Sequence, residues 1–205
     1  MKRFLVLFLS VCLMSCAKEE LHGPLNLKNG EIVELLVDHQ YGSTNDNILK
    51  LPNKVAAGAD LYNFQERQPG YTYRVKAKFV FTKEPPQDSP SYWYEFVNIV
   101  SQEQHKGINP FEIELIRSYI PGGPTIQMSK KGDDYLILSE KVALTSANET
   151  IRKQLEEIWQ NSLSIRDSAT PGQLPKWKSI NATVTHDPLK FGKAYLVQQI
   201  KFELQ

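Results

Sequence analysis

Cysteine is almost missing from this chain. Only Cys12 and Cys16 occur among 205 residues, so everything beyond position 16 is without a thiol. That excludes disulfides, thiolate zinc sites, iron–sulfur clusters and a cysteine nucleophile from the folded body. Its stability in an oxidising compartment rests on a hydrophobic core with no covalent staple. An excess of charge is lacking too: 24 basic side chains stand against 23 acidic ones, a net charge of +1. A balance so near neutral argues against nucleic acid as a partner and against a basic membrane-surface helix. Histidine is sparse, with His22, His39, His105 and His186 alone. None stands three or four positions from another, or from a helical carboxylate, as metal sites require. No metal or other cofactor is expected.

Long apolar runs are absent except at the start, where Lys2 and Arg3 precede an apolar stretch over residues 4–14, broken only by Ser10. Eleven helical residues reach about 16 Å, half of a ~30 Å hydrocarbon core, so the stretch reads as an export signal rather than a span. It ends in Leu13-Met14-Ser15-Cys16, which resembles the lipobox of bacterial lipoproteins. That resemblance implies cleavage before Cys16, which then carries diacylglycerol on sulfur and a further acyl chain such as palmitate on its amine. Two or three chains make a stable anchor where one binds only marginally. Cleavage leaves about 190 of the 205 residues, and loss of Lys2 and Arg3 takes the charge to about −1. The following Lys18-Glu19-Glu20 resembles a surface-export signal of some Gram-negative lipoproteins. The implied location is the outer membrane, facing the cell surface; the plain alternative is a charged, solvated spacer.

The body divides into a lipid anchor and linker (16–30), a β-rich region (31–104) and a second β-rich region with one helix (105–205), which is either separate from the first or continuous with it. Residues 31–38 form a compact apolar run after Gly30, a strand. Residues 71–81 alternate, with Tyr71, Tyr73, Val75, Ala77, Phe79 and Phe81 on one face and Thr72, Arg74, Lys76 and Lys78 on the other. Period two over eleven residues marks a half-buried antiparallel strand. A loop containing Pro85-Pro86 leads to a second strand over 92–102, closing a hairpin. Short strands and turns follow. Ser146-Ala147-Asn148-Glu149 fits a capping box opening a helix over about 147–162, with Ile151, Leu155, Ile158 and Trp159 on one face and Glu149–Lys153 as an i, i+4 pair. Residues 177–185 and 192–204 close the chain as strands. The fold class is α+β, mostly antiparallel β with one substantial helix.

Asn63-Phe64-Gln65-Glu66-Arg67-Gln68-Pro69-Gly70-Tyr71-Thr72-Tyr73-Arg74-Val75-Lys76 and Tyr94-Glu95-Phe96-Val97-Asn98-Ile99-Val100-Ser101 resemble an uncharacterised bacterial lipoprotein domain, often found beside META (heat-shock lipoprotein) domains. The likeness spans about 30–104. Other members often carry an upstream cysteine pair, which this chain lacks. The family implies a small β-rich fold and brings no activity.

The candidate chemistry is thin. His186-Asp187-Pro188 places an imidazole beside an acid at a strand end, but no serine stands in a nucleophile elbow, and a plain turn serves as well. Gly132-Asp133-Asp134 lacks the alternating acids of a calcium loop and reads as a hairpin turn. Pro121-Gly122-Gly123-Pro124 precedes a strand-like run, not the helix a phosphate loop needs. Glu156 and Glu157 point about 100° apart on a helix and make no dyad. Trp93, on a strand flanked by Tyr92 and Tyr94, is a candidate stacking platform, with Arg74 and Lys76 as the wet face of a binding strand; packing and solubility are the plainer accounts. Asp167-Ser168-Ala169 resembles an O-glycosylation acceptor of some of the same bacteria, which would place a glycan on Ser168. These features point to a lipid-anchored, non-catalytic envelope protein that binds an unidentified protein or glycan. The competing expectations are an envelope hydrolase assembled around His186 and Asp187, and a stress or assembly factor of the outer membrane.

Overall fold

A computed structural model describes residues 20–119, 123–168 and 172–205. Eight strands come first: β1 (Leu21–His22), β2 (Leu27–Lys28), β3 (Ile32–Val37), β4 (Ile48–Lys50), β5 (Val55–Ala56), β6 (Leu61–Tyr62), β7 (Tyr71–Phe81) and β8 (Tyr92–Gln104). β1 and β2 form a small hairpin, and the other six make one sheet in the order β5-β4-β3-β7-β8-β6. Then follow β9 (Phe111–Glu114), β10 (Ile116–Tyr119), β11 (Gly123–Ile126), β12 (Ser129–Lys131), β13 (Asp134–Ile137), β14 (Val142–Ser146), α1 (Glu149–Arg166), β15 (Trp177–His186) and β16 (Ala194–Leu204). β10 pairs with β11, and the remaining six strands form a second sheet in the order β12-β13-β14-β16-β15-β9.

The chain is β-rich with one helix among its described residues, an α+β protein. The antiparallel expectation holds for the long β7–β8 and β15–β16 hairpins. It does not hold for β6–β8 and β14–β16, which pair in parallel, so both six-stranded sheets are mixed. β16 inserts between β14 and β15, which the α1 crossover separates.

Strand alternation accounts for the first sheet. Tyr73, Val75, Ala77 and Phe79 are fully or almost fully buried, with Val33, Leu35 and Val37 of β3 beside them. The opposite face carries cross-strand ion pairs, Arg74 with Glu34 and Lys78 with Glu95, as a solvated face does. Register shifts between Arg74 and Val75 and between Lys76 and Ala77 mark two bulges on β8, which bend and twist the strand. The expected linker over 16–30 is corrected over its last ten residues. The β1–β2 hairpin folds onto the first sheet and buries Leu27, and Gly30 N–H donates to the Phe79 carbonyl at 2.8 Å. The apolar Leu25 and Leu27 gain more from covering an open sheet face than from solvent.

In the second sheet, Ile180, Ala182, Val184, Tyr195 and Val197 pack with Leu144 and with Ile151, Leu155 and Ile158 of α1. The helix begins two residues later than expected, and the capping box is corrected. Ser146 is the last residue of β14, opposite Val197, and Asn148 is the N-cap, its side chain accepting the Ile151 N–H at 3.0 Å. Glu149 makes a direct ion pair with Arg152, and the Lys153 charge adds a weaker attraction. Gly132 and Asp133 make the expected hairpin turn, with Gly132 at φ +60 in the first central position, where a glycine-first loop needs it. The two apolar clusters do not merge: one belongs to each sheet. No described helix is long and apolar enough to cross a membrane.

Candidate functional site

Where the two sheets meet, hydrogen bonds and ring contacts replace apolar burial. Thr44 N–H donates to the Glu112 carbonyl at 3.0 Å, Tyr195 Oη to the Tyr41 carbonyl at 2.7 Å, and Lys141 Nζ to Gln65 Oε1 at 3.0 Å. The Arg67 guanidinium binds the Asp46 carboxylate, reaches the Asp38 carbonyl at 3.0 Å and lies 4.5 Å over the Tyr41 ring. Burial raises the Tyr195 phenol pKa far above its ordinary value and so keeps its proton available to Tyr41.

Beside this junction opens a cleft of about 750 Å³, within the range of small-ligand sites. Tyr41, Gly42 and Gln65 of the first sheet's loops form one wall, and Ile113, Ile126, Met128 and Ile137 of the second unit give an apolar lining. Glu114, Arg117, Glu140 and Lys141 place two charges of each sign around it. The wall between β13 and β14 is unusual. Leu138, Ser139 and Glu140 are three consecutive non-glycine residues at φ +53, +55 and +68. The left-handed region costs an L-residue roughly 1–2 kcal/mol, and such strain collects at functional sites. The conformation presses Leu138 against Gly42, where a Cβ would lie 2.5 Å from Leu138 Cδ1.

Next to the cleft sits a cluster of imidazoles. The His39 and His105 rings stack with centroids 3.5 Å apart, and His186 meets His39 edge-on at 5.1 Å with Nδ1 of His39 2.8 Å from Nε2 of His186. Phe111, Phe191 and Tyr195 surround His186. Among the described residues, three buried side-chain nitrogens have no hydrogen-bond partner: Arg67 Nε, His105 Nε2 and His186 Nδ1. All three lie at this junction. Buried polar atoms are normally satisfied, so their concentration in one place marks it out. Burial pushes the His186 pKa down to about 4, with the nearby His39 and His105 adding to the effect; burial also lowers His39, opposed by the Asp38 charge.

The sequence candidates scatter. Cys16, and Lys18 and Glu19 of the export signal, lie outside the described residues; Glu20 makes an exposed ion pair with Lys83. Trp93, Arg74 and Lys76 lie on the solvated face of the first sheet, Trp93 opposite Val80 and bonded to Glu95, Arg74 held by Glu34. They are not brought to the cleft. Ser168 follows the C-terminus of α1, where its N–H donates to the Ile165 carbonyl at 3.4 Å; Ala169 lies outside the described residues. His186 and Asp187 part company. The buried Asp187 carboxylate accepts from the Thr145 hydroxyl at 2.5 Å and the Leu189 N–H at 2.8 Å, while His186 faces His39. That is turn chemistry, as the plainer account had it. The cleft and the cluster were missed because their parts come from distant segments. The signal available was position: His39, His105 and His186 each stand at or just past the C-terminal end of a long strand, β3, β8 and β15. Among the described residues no group of three or more His, Cys, Asp or Glu is arranged to hold a metal ion. Comparison with family models, curated proteins and solved structures finds no match in any of the three.

Proposed function

We propose that this chain is a lipid-anchored protein of the bacterial envelope, exported by residues 1–15, held in the outer membrane by acyl chains on Cys16 and exposed at the cell surface. Its folded body binds a ligand or partner without catalysis. The observation that carries the anchor is the register of Leu13, Ser15 and Cys16 at the end of an apolar run of signal length. The binding role is carried by the junction cleft, whose strained Leu138–Glu140 wall and paired charges are features that a purely structural surface does not require. The charged strand face bearing Arg74 and Lys76 is the weaker binding candidate, because Arg74 and the neighbouring Lys78 are already spent on Glu34 and Glu95. A hydrolase is disfavoured for a similar reason: His186 Nε2 is occupied by His39 and Asp187 by Thr145. The likeness of residues 30–104 to META-associated lipoprotein domains is compatible with this role and assigns no partner.

Fractionation tests the anchor. The native protein is expected in the outer-membrane fraction and open to protease added to intact cells, and Cys16→Ala should be released from the membrane. Unchanged attachment of Cys16→Ala would refute lipidation, and full protection from protease would refute surface exposure. For the cleft, crosslinked capture from intact cells is compared between the native chain and Arg117→Ala/Lys141→Ala. Equal recovery of the same partner would move the binding site elsewhere.

A further inference from the structure

Three imidazoles in contact first suggest a metal centre, and the geometry rejects it. The His39 and His105 ring planes are stacked 3.5 Å apart at 13°. A ring nitrogen coordinates in its own plane at about 2.0–2.1 Å, so no single ion can lie in both planes. The same contacts favour another role.

The hydrogen-bond chain has one consistent proton arrangement. Asp38 Oδ1 lies 3.5 Å from His39 Nε2. That contact is electrostatic, and the proton placement is set by His186, whose buried Nδ1 has no partner, so that its proton belongs on Nε2. In a neutral ring Nδ1 of His39 then accepts, Nε2 of His186 donates to it at 2.8 Å, and Nδ1 of His186 is left as a bare lone pair. This assignment needs neutral imidazoles. A proton on His39 Nδ1 turns that nitrogen into a donor and drives His186 to the Nδ1–H tautomer, which leaves a buried donor without a partner. A proton on His186 Nδ1 buries an unpaired donor among three aromatic rings. Both events strike the His39–His186 contact, which joins the two sheets.

We infer that His39 and His186, with His105 stacked on His39, form an acid-sensitive clasp, which holds the two sheets together while the His39 and His186 rings are neutral and releases them when those two rings take up protons. The charged and titratable groups on the elements packed against it are Asp38, Tyr41 and Asp46 on the β3–β4 loop, Arg67 and Tyr71 at the entry to β7, Lys106 beside His105, Glu112 on β9, Asp187 and Lys190 after β15, and Tyr195 on β16. Most are committed elsewhere: Asp46 to Arg67, Asp187 to Thr145, Lys190 to Asp134 and Glu112 to Lys201. Asp38 alone is turned to a ring of the cluster. It steadies one positive charge and leaves a second unopposed. Because Tyr41 and Gly42 form a wall of the cleft, release of the clasp also opens the cleft.

Linkage fixes the sign. His39 and His186 bind protons more weakly in the closed form, so acid favours the open one. The effect sets in as pH falls below about 6.5 and runs toward about 4, the value of His186 in the closed form. One proton taken up on opening changes the open-to-closed ratio about tenfold per pH unit, and two about a hundredfold. Between pH 6.5 and 5 carboxylates contribute little, and that window isolates the histidines.

The test is amide hydrogen exchange on the soluble body, residues 20–205, corrected for intrinsic rates. Residues 39–46 and 186–195 are expected to lose protection by about tenfold or more over the whole interval from pH 6.5 to 5, while β7 and α1 stay protected. His105→Phe/His186→Phe, which keeps the ring packing, should flatten that dependence to less than twofold. Imidazole resonances of the unsubstituted chain give a second readout that requires no variant to fold: His186 should titrate well below 6.5. Protection at the junction that does not change with pH, an unaltered pH dependence in the double variant, or a His186 midpoint at or above 6.5 would each overturn the proposal.

Discussion

Gly42→Ala is the sharpest probe of the junction, because two independent costs meet at one Cβ. Gly42 sits at φ +76, and alanine there loses about 1 kcal/mol relative to glycine. The new methyl would also lie 2.5 and 2.6 Å from the two Leu138 methyls. Those methyls end a flexible side chain and can swing aside, so relief costs roughly 1 kcal/mol in rotamer strain and lost packing rather than a full overpacking penalty. The sum is about 2 kcal/mol. With a urea m-value of about 2 kcal/mol/M for a chain of this size, the midpoint should fall by about 1 M. Tryptophan fluorescence is suited to the measurement, since Trp93 lies in the first sheet and Trp159 and Trp177 in the second unit. A double-mutant cycle separates the terms. In a Leu138→Ala background the steric part disappears and Gly42→Ala should cost only about 1 kcal/mol, a coupling of roughly 1 kcal/mol. An equal cost in both backgrounds would refute the contact, and a cost below about 0.5 kcal/mol in the native background would refute the backbone argument as well.

Asn148→Ala should destabilise the second unit by about 1 kcal/mol through loss of the cap on Ile151 N–H, whereas Ser146→Ala should change stability by less than about 0.5 kcal/mol; thermal unfolding by circular dichroism distinguishes the two, and the reverse order would restore the capping box. Glu156 accepts from Lys130, Tyr135 and Gln160, bonds that pull its pKa down to about 2. Because the carboxylate is favoured in the folded state, its contribution is fully present above about 4.5 and is lost as pH falls toward 2. With 38 % of the side chain exposed, solvent screening leaves about 1 kcal/mol, so Glu156→Gln should differ from the native chain by that amount at pH 7 and converge with it near pH 2.

The sequence was most legible where one local pattern decides the outcome. β7 spans the eleven alternating residues because period two puts Tyr73, Val75, Ala77 and Phe79 on one face whatever pairs with them. The helix was legible from its apolar stripe, but its start was not. Ser146 fits a cap chemically and is instead held in the parallel ladder to β16, a partner fifty residues away in sequence that no local rule can see. The same blindness explains the mixed sheets, since a strand's residues do not state which neighbour it takes or in which direction. Residues 21–28 were assigned to a linker for their glycine and proline, yet Leu25 and Leu27 decide their fate, because an uncovered sheet face offers them burial.

The candidate site was illegible for a deeper reason, which also bears on how the protein works. His39 and His186 are 147 positions apart, and each looks isolated in its own segment, so spacing rules discard them one at a time. They come together because each sheet keeps its own apolar cluster, and the two are joined by hydrogen bonds with a few ring and apolar contacts, Tyr41 on the second cluster, Tyr71 against Phe191 and Leu138 against Gly42. Hydrogen bonds of this kind contribute about 1 kcal/mol apiece, whereas the clusters bury many large side chains at roughly 1.5–3 kcal/mol each. Separating the sheets therefore costs less than unfolding either one. This junction is also where, among the described residues, the cleft of about 750 Å³, the left-handed wall and the buried nitrogens without a partner lie. Parts that must open or respond come from the low end of a protein's stability, and in this chain the proposed binding cleft and the proposed clasp both lie at the junction of the two sheets.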